Sequence, residues 1–444
     1  MSTKFKSLII STLSLICCTQ AMAQNSLSTD VFSPFTMYGI GELRSGANIQ
    51  QAAMGGAGIA SFNSLEINYL NPASLGFIPQ RSAILNFSGE MQNTYSSTNS
   101  TNEFGQSFNA KSVGNNVSLH DFAFAIPLAR AIGFSASLQP ISQIGYNSTI
   151  VNDNPDVFND AGRVYYNYTG EGGISAVTTS IGARITKGLS IGASMIYYFG
   201  AIDRHYSATV VPVFEPSYNR AVNSIESQKI SQIGGRFGLT YTERISRTGR
   251  IAIGLTYQPK TTLETKLLSA VTTVDQSTLD TVSYANSKNN IIMPEKFGAG
   301  LFFSNSKWQV AADYSYQNYT NAFDTDFEST GVALIPTHNA NFGIAYTPNK
   351  NDIRTALNRW TYRVGTYYNN SYMTVDGVKV NTFGVTLGAD IPLKSNKNSK
   401  MTVGLDYSWR GVHQARQIKE QIIKVNIGFT LFGTDMWFEK RKFN

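Results

Sequence analysis

Six charged side chains in the last third of the chain, Asp313, Arg363, Asp390, Asp406, Arg410 and Lys424, occupy the polar beats of otherwise apolar stretches. Facing one wet interior, three cations and three carboxylates would pair with one another or hold a folded segment in place. Arg363, Arg410 or Lys424 could instead meet the carboxylate head group of a ligand, because their N–H donors match an acid's oxygens. Other chemistry is poorly provided for. His120, His205, His338 and His413 are scattered without ligand spacing, so no metal site is expected. His120-Asp121 evokes a hydrolase pair, but no serine elbow accompanies it, and no enzyme activity is expected. The only cysteines, Cys17 and Cys18, lie in the leader described below, which leaves the mature chain without thiol catalysis, thiolate metal sites or disulfides. The glycine stretch Gly55, Gly56 and Gly58 follows no buried strand and opens no phosphate-binding helix, so it is not a dinucleotide loop. No cofactor is expected.

The elements that must position these side chains announce themselves by a period of two. In Met401–Arg410 the residues Met401, Val403, Leu405, Tyr407 and Trp409 alternate with Thr402, Gly404, Asp406, Ser408 and Arg410. A strand sends successive side chains to opposite faces, so this is one apolar and one wet face. The same beat runs through Phe383–Ile391, Ile423–Leu431, Trp308–Tyr316 and Ile251–Gln258. Short gaps (Pro127–Arg130, Thr186–Gly188, Ser246–Gly249, Asn305–Ser306) take turns with long polar ones (Asn93–Gly114, Asn147–Gly173, His205–Gln228, Leu263–Ile292, Asn321–Thr337). Thr347–Asn358 and Pro392–Lys400 are longer, yet fall in the short-turn phase. This rhythm predicts an all-β transmembrane up-and-down antiparallel barrel of about 14 strands, with short periplasmic turns and long outer loops. The expected strand starts are 82, 115, 130, 174, 189, 229, 250, 294, 306, 338, 359, 379, 400 and 420.

Residues 1–23 read as a signal peptide: Lys4 and Lys6, a short apolar run from Ser7 to Ile16, then Ala21-Met22-Ala23 before the cut. No later run approaches the ~18 unbroken apolar residues of a membrane helix. Charged residues are only 15% and aromatics 12%, with 23 tyrosines, a ring suited to the membrane interface. The net charge of +7 falls to +5 without the leader (34 basic against 29 acidic), and no basic cluster is interleaved with aromatics, so nucleic acid is not a partner.

Residues 24–80 lack the strand beat and hold AAMGGAGIA (Ala52–Ala60) and NPASLG (Asn71–Gly76). Small residues and the turn former Asn71-Pro72 suit a segment folded inside a barrel, whose lumen would otherwise stand open. The expected organisation is signal peptide 1–23, hatch or plug 24–80, barrel 81–432 and periplasmic tail 433–444. In that tail Phe443 is penultimate: either Phe432 closes the last strand or the tail has its own role, and Lys440, Arg441 and Lys442 read most simply as a solvated basic end, with contact to peptidoglycan or a partner as the alternative.

On the AMGGAG stretch, on Asn71, Pro72 and Ala73, and on MPEKFGAGLFF (Met293–Phe303) and YRVGTYY (Tyr362–Tyr368), the chain resembles the FadL-type outer-membrane transporters of long-chain fatty acids and other hydrophobic compounds. The resemblance implies a fourteen-stranded barrel, an N-terminal hatch carrying Gly55, Gly56, Gly58, Asn71, Pro72 and Ala73, and an opening in the wall at a kinked strand. Ligand would enter from outside, shift the hatch and leave sideways into the membrane, without ATP, ion gradient or cofactor. The expected partners are outer-membrane lipid, lipopolysaccharide and a hydrophobic small molecule, and the barrel is expected to be a monomer. Two alternatives stay open: a component of a protein secretion system (type IX-like) docking secretion-machine subunits, and a surface adhesin or receptor using Asn147–Gly173 and Leu263–Ile292.

Overall fold

The computed structural model describes residues 33–101, 107–152, 154–212, 220–275, 278–320, 322, 331–393, 398–411 and 418–434. The expected signal peptide, the first residues of the expected hatch, most of the tail and His413 lie outside the described residues.

The period-two segments form one antiparallel sheet that closes on itself. Its strands are β2 (Ser82–Thr101), β3 (Ser107–Ala129), β4 (Ile132–Val151), β5 (Arg163–Arg184), β6 (Leu189–Val211), β7 (Arg220–Arg244), β8 (Arg250–Gln258), β9 (Thr261–Asp275), β10 (Thr278–Met293), β11 (Lys296–Ser304), β12 (Trp308–Asn318), β13 (Val332–Leu334), β14 (Pro336–Tyr346), β15 (Thr361–Val375), β16 (Val378–Pro392), β17 (Lys400–Arg410) and β18 (Ile418–Thr434), while β1 (Glu42–Leu43) belongs to the N-terminal segment. β8 with β9, β10 with β11, and β13 with β14 are each one stave interrupted at or beside a proline (Pro259, Pro294, Pro336), so the wall is a closed 14-strand barrel. Proline lacks the N–H that a ladder needs, which breaks the stave there. The seam closes where β18 pairs with β2, from Ile418↔Thr98 to Thr434↔Ser82.

The alternation sets which face is which. On β17, Leu405 and Trp409 are exposed on the outer surface, while Thr402 and Ser408 are buried on the inner one. An apolar outer face is stable against lipid, and the polar inner face against water and the inner segment. The short turns close one rim with their own side chains: Asn305 Oδ1 accepts from the N–H groups of Lys307 and Trp308, and Thr186 Oγ1 accepts from those of Gly188 and Leu189.

The long polar gaps differ from expectation. Leu263–Ile292 is almost wholly ladder, the β9–β10 hairpin, running from Thr261↔Met293 to Asp275↔Thr278. β4 continues to Val151 and β5 begins at Arg163, so Asn147–Gly173 is mostly strand around a short helix, α1 (Pro155–Ala161). Where both faces of a sheet are wet, the apolar beat disappears while the backbone groups still pair.

The wall also parts. β3 and β4 pair only from Ala129↔Ile132 to Phe122↔Leu138. Above that point β4 shifts register at Pro140 against β5. Its released edge bonds instead to the N-terminal segment: β1 pairs Glu42↔Gln143 and Leu43↔Ser142, Ser33 N–H donates to Gly145 O (3.1 Å), and Arg44 N–H to Ile141 O (2.9 Å). Among the described residues, β3 above Phe122 has no ladder partner on that side.

Residues 33–81 carry two 3-10 turns (Pro34–Met37 and Pro72–Phe77) and a single helical turn capped by Asn48, whose side chain accepts from Gln51 N–H. They bond to strands right around the sheet: Gln50 to Thr402 and Thr430, Gly55 to Thr386, Gly58 and Ile59 to Asp313, Asn71 to Thr240, and Ala73 to Ser190. Only a segment inside the cylinder reaches all of these.

Candidate functional site

The wall makes room for this segment by omitting side chains. Gly133, Gly182, Gly192 and Gly238 stand side by side across β4, β5, β6 and β7. A Cβ on any of them would run into Leu75, Pro72 or Asn71. On the opposite side Gly343 and Gly365 are paired neighbours, and a Cβ there would meet Met54 and Gly55. These inward glycines were not among the residues singled out from sequence, although each falls on the inner beat of its strand.

The residues expected to form a hatch motif lie in this inner segment, where these glycines admit it. Gly55 (φ +68°) and Gly56 (φ +81°) take left-handed backbone that other residues adopt only with strain. A Cβ on Gly58 would strike the Gln51 side chain. Asn71 is fully buried and uses its whole amide. Oδ1 accepts from Ala73 N–H (3.0 Å), and Nδ2 donates to Ile59 O (2.9 Å), Leu239 O (3.2 Å) and Thr240 Oγ1 (3.1 Å). It joins two turns of the segment to β7.

Two ionic clusters hold the segment to the wall. In one, Glu66 of the segment accepts from Arg363 (2.8 Å) and Lys400 (2.5 Å), and both cations also reach Asp390 (2.7 and 3.0 Å). Thr402 Oγ1 donates to the other Asp390 oxygen (2.9 Å). In the second, Glu42 meets Arg410 (2.7 Å) and Lys424 (3.6 Å), Arg410 also meets Glu420 (3.3 Å), and Ser33 Oγ donates to Glu420 (2.7 Å). Arg44 bridges to Glu90 of β2 (3.0 Å). Burial pushes the Glu42 carboxyl up, but Arg410, Lys424 and Arg44 outweigh it and hold it down at about 2. Asp313 Oδ2 accepts from the N–H groups of Gly58 (2.6 Å) and Ile59 (2.8 Å). Asp406 accepts from Tyr367 Oη at 3.0 Å. The three cations expected to meet a ligand head group, Arg363, Arg410 and Lys424, thus face inward as the alternation implies, and each is already matched to a carboxylate of the inner segment.

The histidines are not gathered. His120 sits beside Ser88 and Asp121 on the inner face, and His338 on the outer face meets Tyr314 Oη (2.7 Å). Among the described residues no group of His, Cys, Asp or Glu has the makings of a metal site.

Between segment and wall lies a cavity of about 310 Å³. Ile40, Tyr198, Met293, Tyr319 and Tyr372 belong to a continuous apolar cluster on its outer-loop side, extended by Ile174, Ile196, Ile202, Leu263 and Ile291. Arg236 of β7 and Lys296 of β11 line the same cavity. Arg236 donates only to neutral acceptors, Tyr69 O (2.7 Å) and Gln258 Oε1 (3.1 and 3.3 Å). Lys296 stands directly opposite Gln258 in the β8–β11 register. Neither cation has a carboxylate partner among the described residues. Sequence reasoning missed both, because Gly234-Gly235 and Pro294 interrupt the alternation beside them.

The BamG family model matches residues 4–444 of the chain. No curated protein matches it in sequence. Among solved structures, the toluene transporter TodX of P. putida is similar at a TM-score of 0.55 and 15% identity, covering 88% of this chain and 99% of that one. A FadL homologue of Pseudomonas aeruginosa gives 0.54 and 13% (88% and 98% covered), and the CymD monoaromatic hydrocarbon channel 0.53 and 16% (88% and 98%). At such identities the likeness is one of fold.

Proposed function

On the premise that the chain belongs to the BamG family and is built on the barrel of hydrocarbon channels, we propose that it is an outer-membrane channel for hydrophobic small molecules, and that its preferred cargo is an amphipathic acid such as a long-chain fatty acid. The observation that carries this reading is the cavity itself, in which Arg236 and Lys296, without carboxylate partners among the described residues, lie beside Tyr198, Met293, Tyr319 and Tyr372 of a large apolar cluster. A buried cation without a counter-charge is costly, and a carboxylate head group offsets that cost while its chain covers apolar surface. Residues 33–80 act as the hatch. Arg363, Arg410 and Lys424 hold it by its own carboxylates, and head-group contact passes to Arg236 and Lys296. The parting of β3 from β4 offers a sideways exit to lipid, with Pro140 and Ile141 of the cavity lining at its edge. The cargo moves down its own gradient, so no energy source is needed.

The test is uptake of labelled oleate by cells with and without the protein, and with Arg236→Gln/Lys296→Gln. Uptake should require the protein. The double variant should lose roughly ten- to a hundredfold in apparent affinity for the acid, a charge-assisted contact being worth about 1.5–3 kcal/mol, while uptake of a neutral hydrocarbon stays the same. Oleate uptake indifferent to the presence of the protein would refute the reading.

A further inference from the structure

The short-turn rim repeats one combination of side chains. The β5–β6 turn pairs Ile185, 58% exposed, with Lys187, and the β7–β8 turn pairs Ile245, 56% exposed, with Arg247. Both isoleucines continue the outward rows of their strands, two residues past Ala183 and Glu243 and four past the exposed Ile181 and Tyr241. The β14–β15 turn enlarges the theme. Ile353 is 93% exposed and Leu357 is exposed beside it, among Lys350, Arg354 and Arg359.

This last turn has a built shape. Asp352 Oδ1 accepts from the N–H groups of Arg354 (2.7 Å) and Thr355 (3.0 Å), Asp352 Oδ2 accepts from Asn358 Nδ2 (2.5 Å), and Asn349 N–H donates to Asn358 O (2.8 Å). Tyr362, on the outer row of β15, donates its hydroxyl to Leu357 O (3.1 Å). The turn is therefore fastened to the lipid-facing side of the wall, not to the lumen.

We propose that this rim is a lipid-gripping surface for anionic phospholipid. Ile353 and Leu357 enter the acyl edge of the leaflet, and Lys350, Arg354 and Arg359 hold its phosphates. The position on the outer side of the wall, the sign of the charge and the snorkelling reach of Lys and Arg all fit that occupant. The aliphatic-plus-cation pair recurs on three separate turns of this rim.

The experiment uses the full chain carrying Cys17→Ser, Cys18→Ser and Ile353→Cys, reconstituted in vesicles of phosphatidylcholine or of phosphatidylcholine with 30% phosphatidylglycerol as the test composition, and labelled with a membrane-impermeant maleimide. Labelling should be roughly a hundredfold slower in the anionic vesicles, each of the three cations near such a surface contributing about fivefold. Lys350→Gln/Arg354→Gln/Arg359→Gln should restore the rate, with barrel folding verified by the mobility difference between heated and unheated samples. Ile245→Cys, at a second turn, should show the same protection should Ile353→Cys fold poorly. Equal rates in the two vesicle types would overturn the proposal. So would protection that appears in neutral vesicles only on adding periplasmic proteins, which would assign the turn to a protein partner.

Discussion

Glu42 shows how one side chain ties the inner segment to the wall. Its carboxyl is held at about 2, well below its ordinary 4.5, because Arg410, Lys424 and Arg44 outweigh its burial. A depressed carboxyl stabilises the folded state fully above its unfolded value, and that stabilisation fades as pH falls through the folded one. Glu42's own contribution to the attachment should therefore be constant from pH 7 to about 5, and about 3 kcal/mol of it should be lost as pH is brought down towards 2. Amide exchange of residues 38–45 as a function of pH would show it, and Glu42→Gln should flatten the profile. Arg363 is the counterpart on the wall side. Arg363→Met leaves Glu66 and Asp390 buried with Lys400 alone, and removal of one partner from such a cluster costs about 3–5 kcal/mol. A lowered urea midpoint, followed by the gel mobility of the unheated barrel, should report it.

At the scale of strands, a small residue on the inner beat is as informative as a charged one. Gly192→Val would press a side chain into Pro72, since even a Cβ at that position overlaps its backbone. The expected result is a barrel that still resists detergent unheated, with the stretch from Asn71 to Phe77 open to added protease. Should that stretch stay protected, the wall glycines are not its seat. Where β3 leaves β4, alternate amides between residues 109 and 119 lack a ladder partner on that side, so they should exchange faster than those of Phe122 to Ile126. The strands themselves were legible because period two is written into every one, from Met401–Arg410 to Ile251–Gln258. Their outer-loop extensions were not, because a ladder wet on both faces carries no apolar beat. The seats of the inner segment were legible only as glycines at inner positions, with nothing to say that Gly192 answers Pro72. The ion pairs were half legible: Arg363, Arg410 and Lys424 declared themselves as inward charges, but Glu66 lies 297 residues from its partner Arg363. Arg236 and Lys296 fell beside breaks in the pattern, where the phase that would have turned them inward could not be carried across.

For the whole molecule, the described inner segment crosses the lumen of a fourteen-stranded wall with a cavity of about 310 Å³ beside it, and a barrel of that strand number is otherwise wide enough for an aqueous pore. The full chain in planar bilayers should be electrically quiet. Deletion of residues 33–80 should leave a heat-modifiable barrel and produce conductance steps that the full chain lacks. Persistent silence after the deletion would mean that something other than this segment blocks the lumen.

The closing of the sheet between its first and last strands also has a consequence for biogenesis. Until β18 meets β2 the sheet has an open side, and the simplest order of assembly lays the polypeptide leading into β2 against the inner glycines before that side closes. Whatever threads this protein into its bilayer would then hold the two margins apart until the N-terminal stretch has settled.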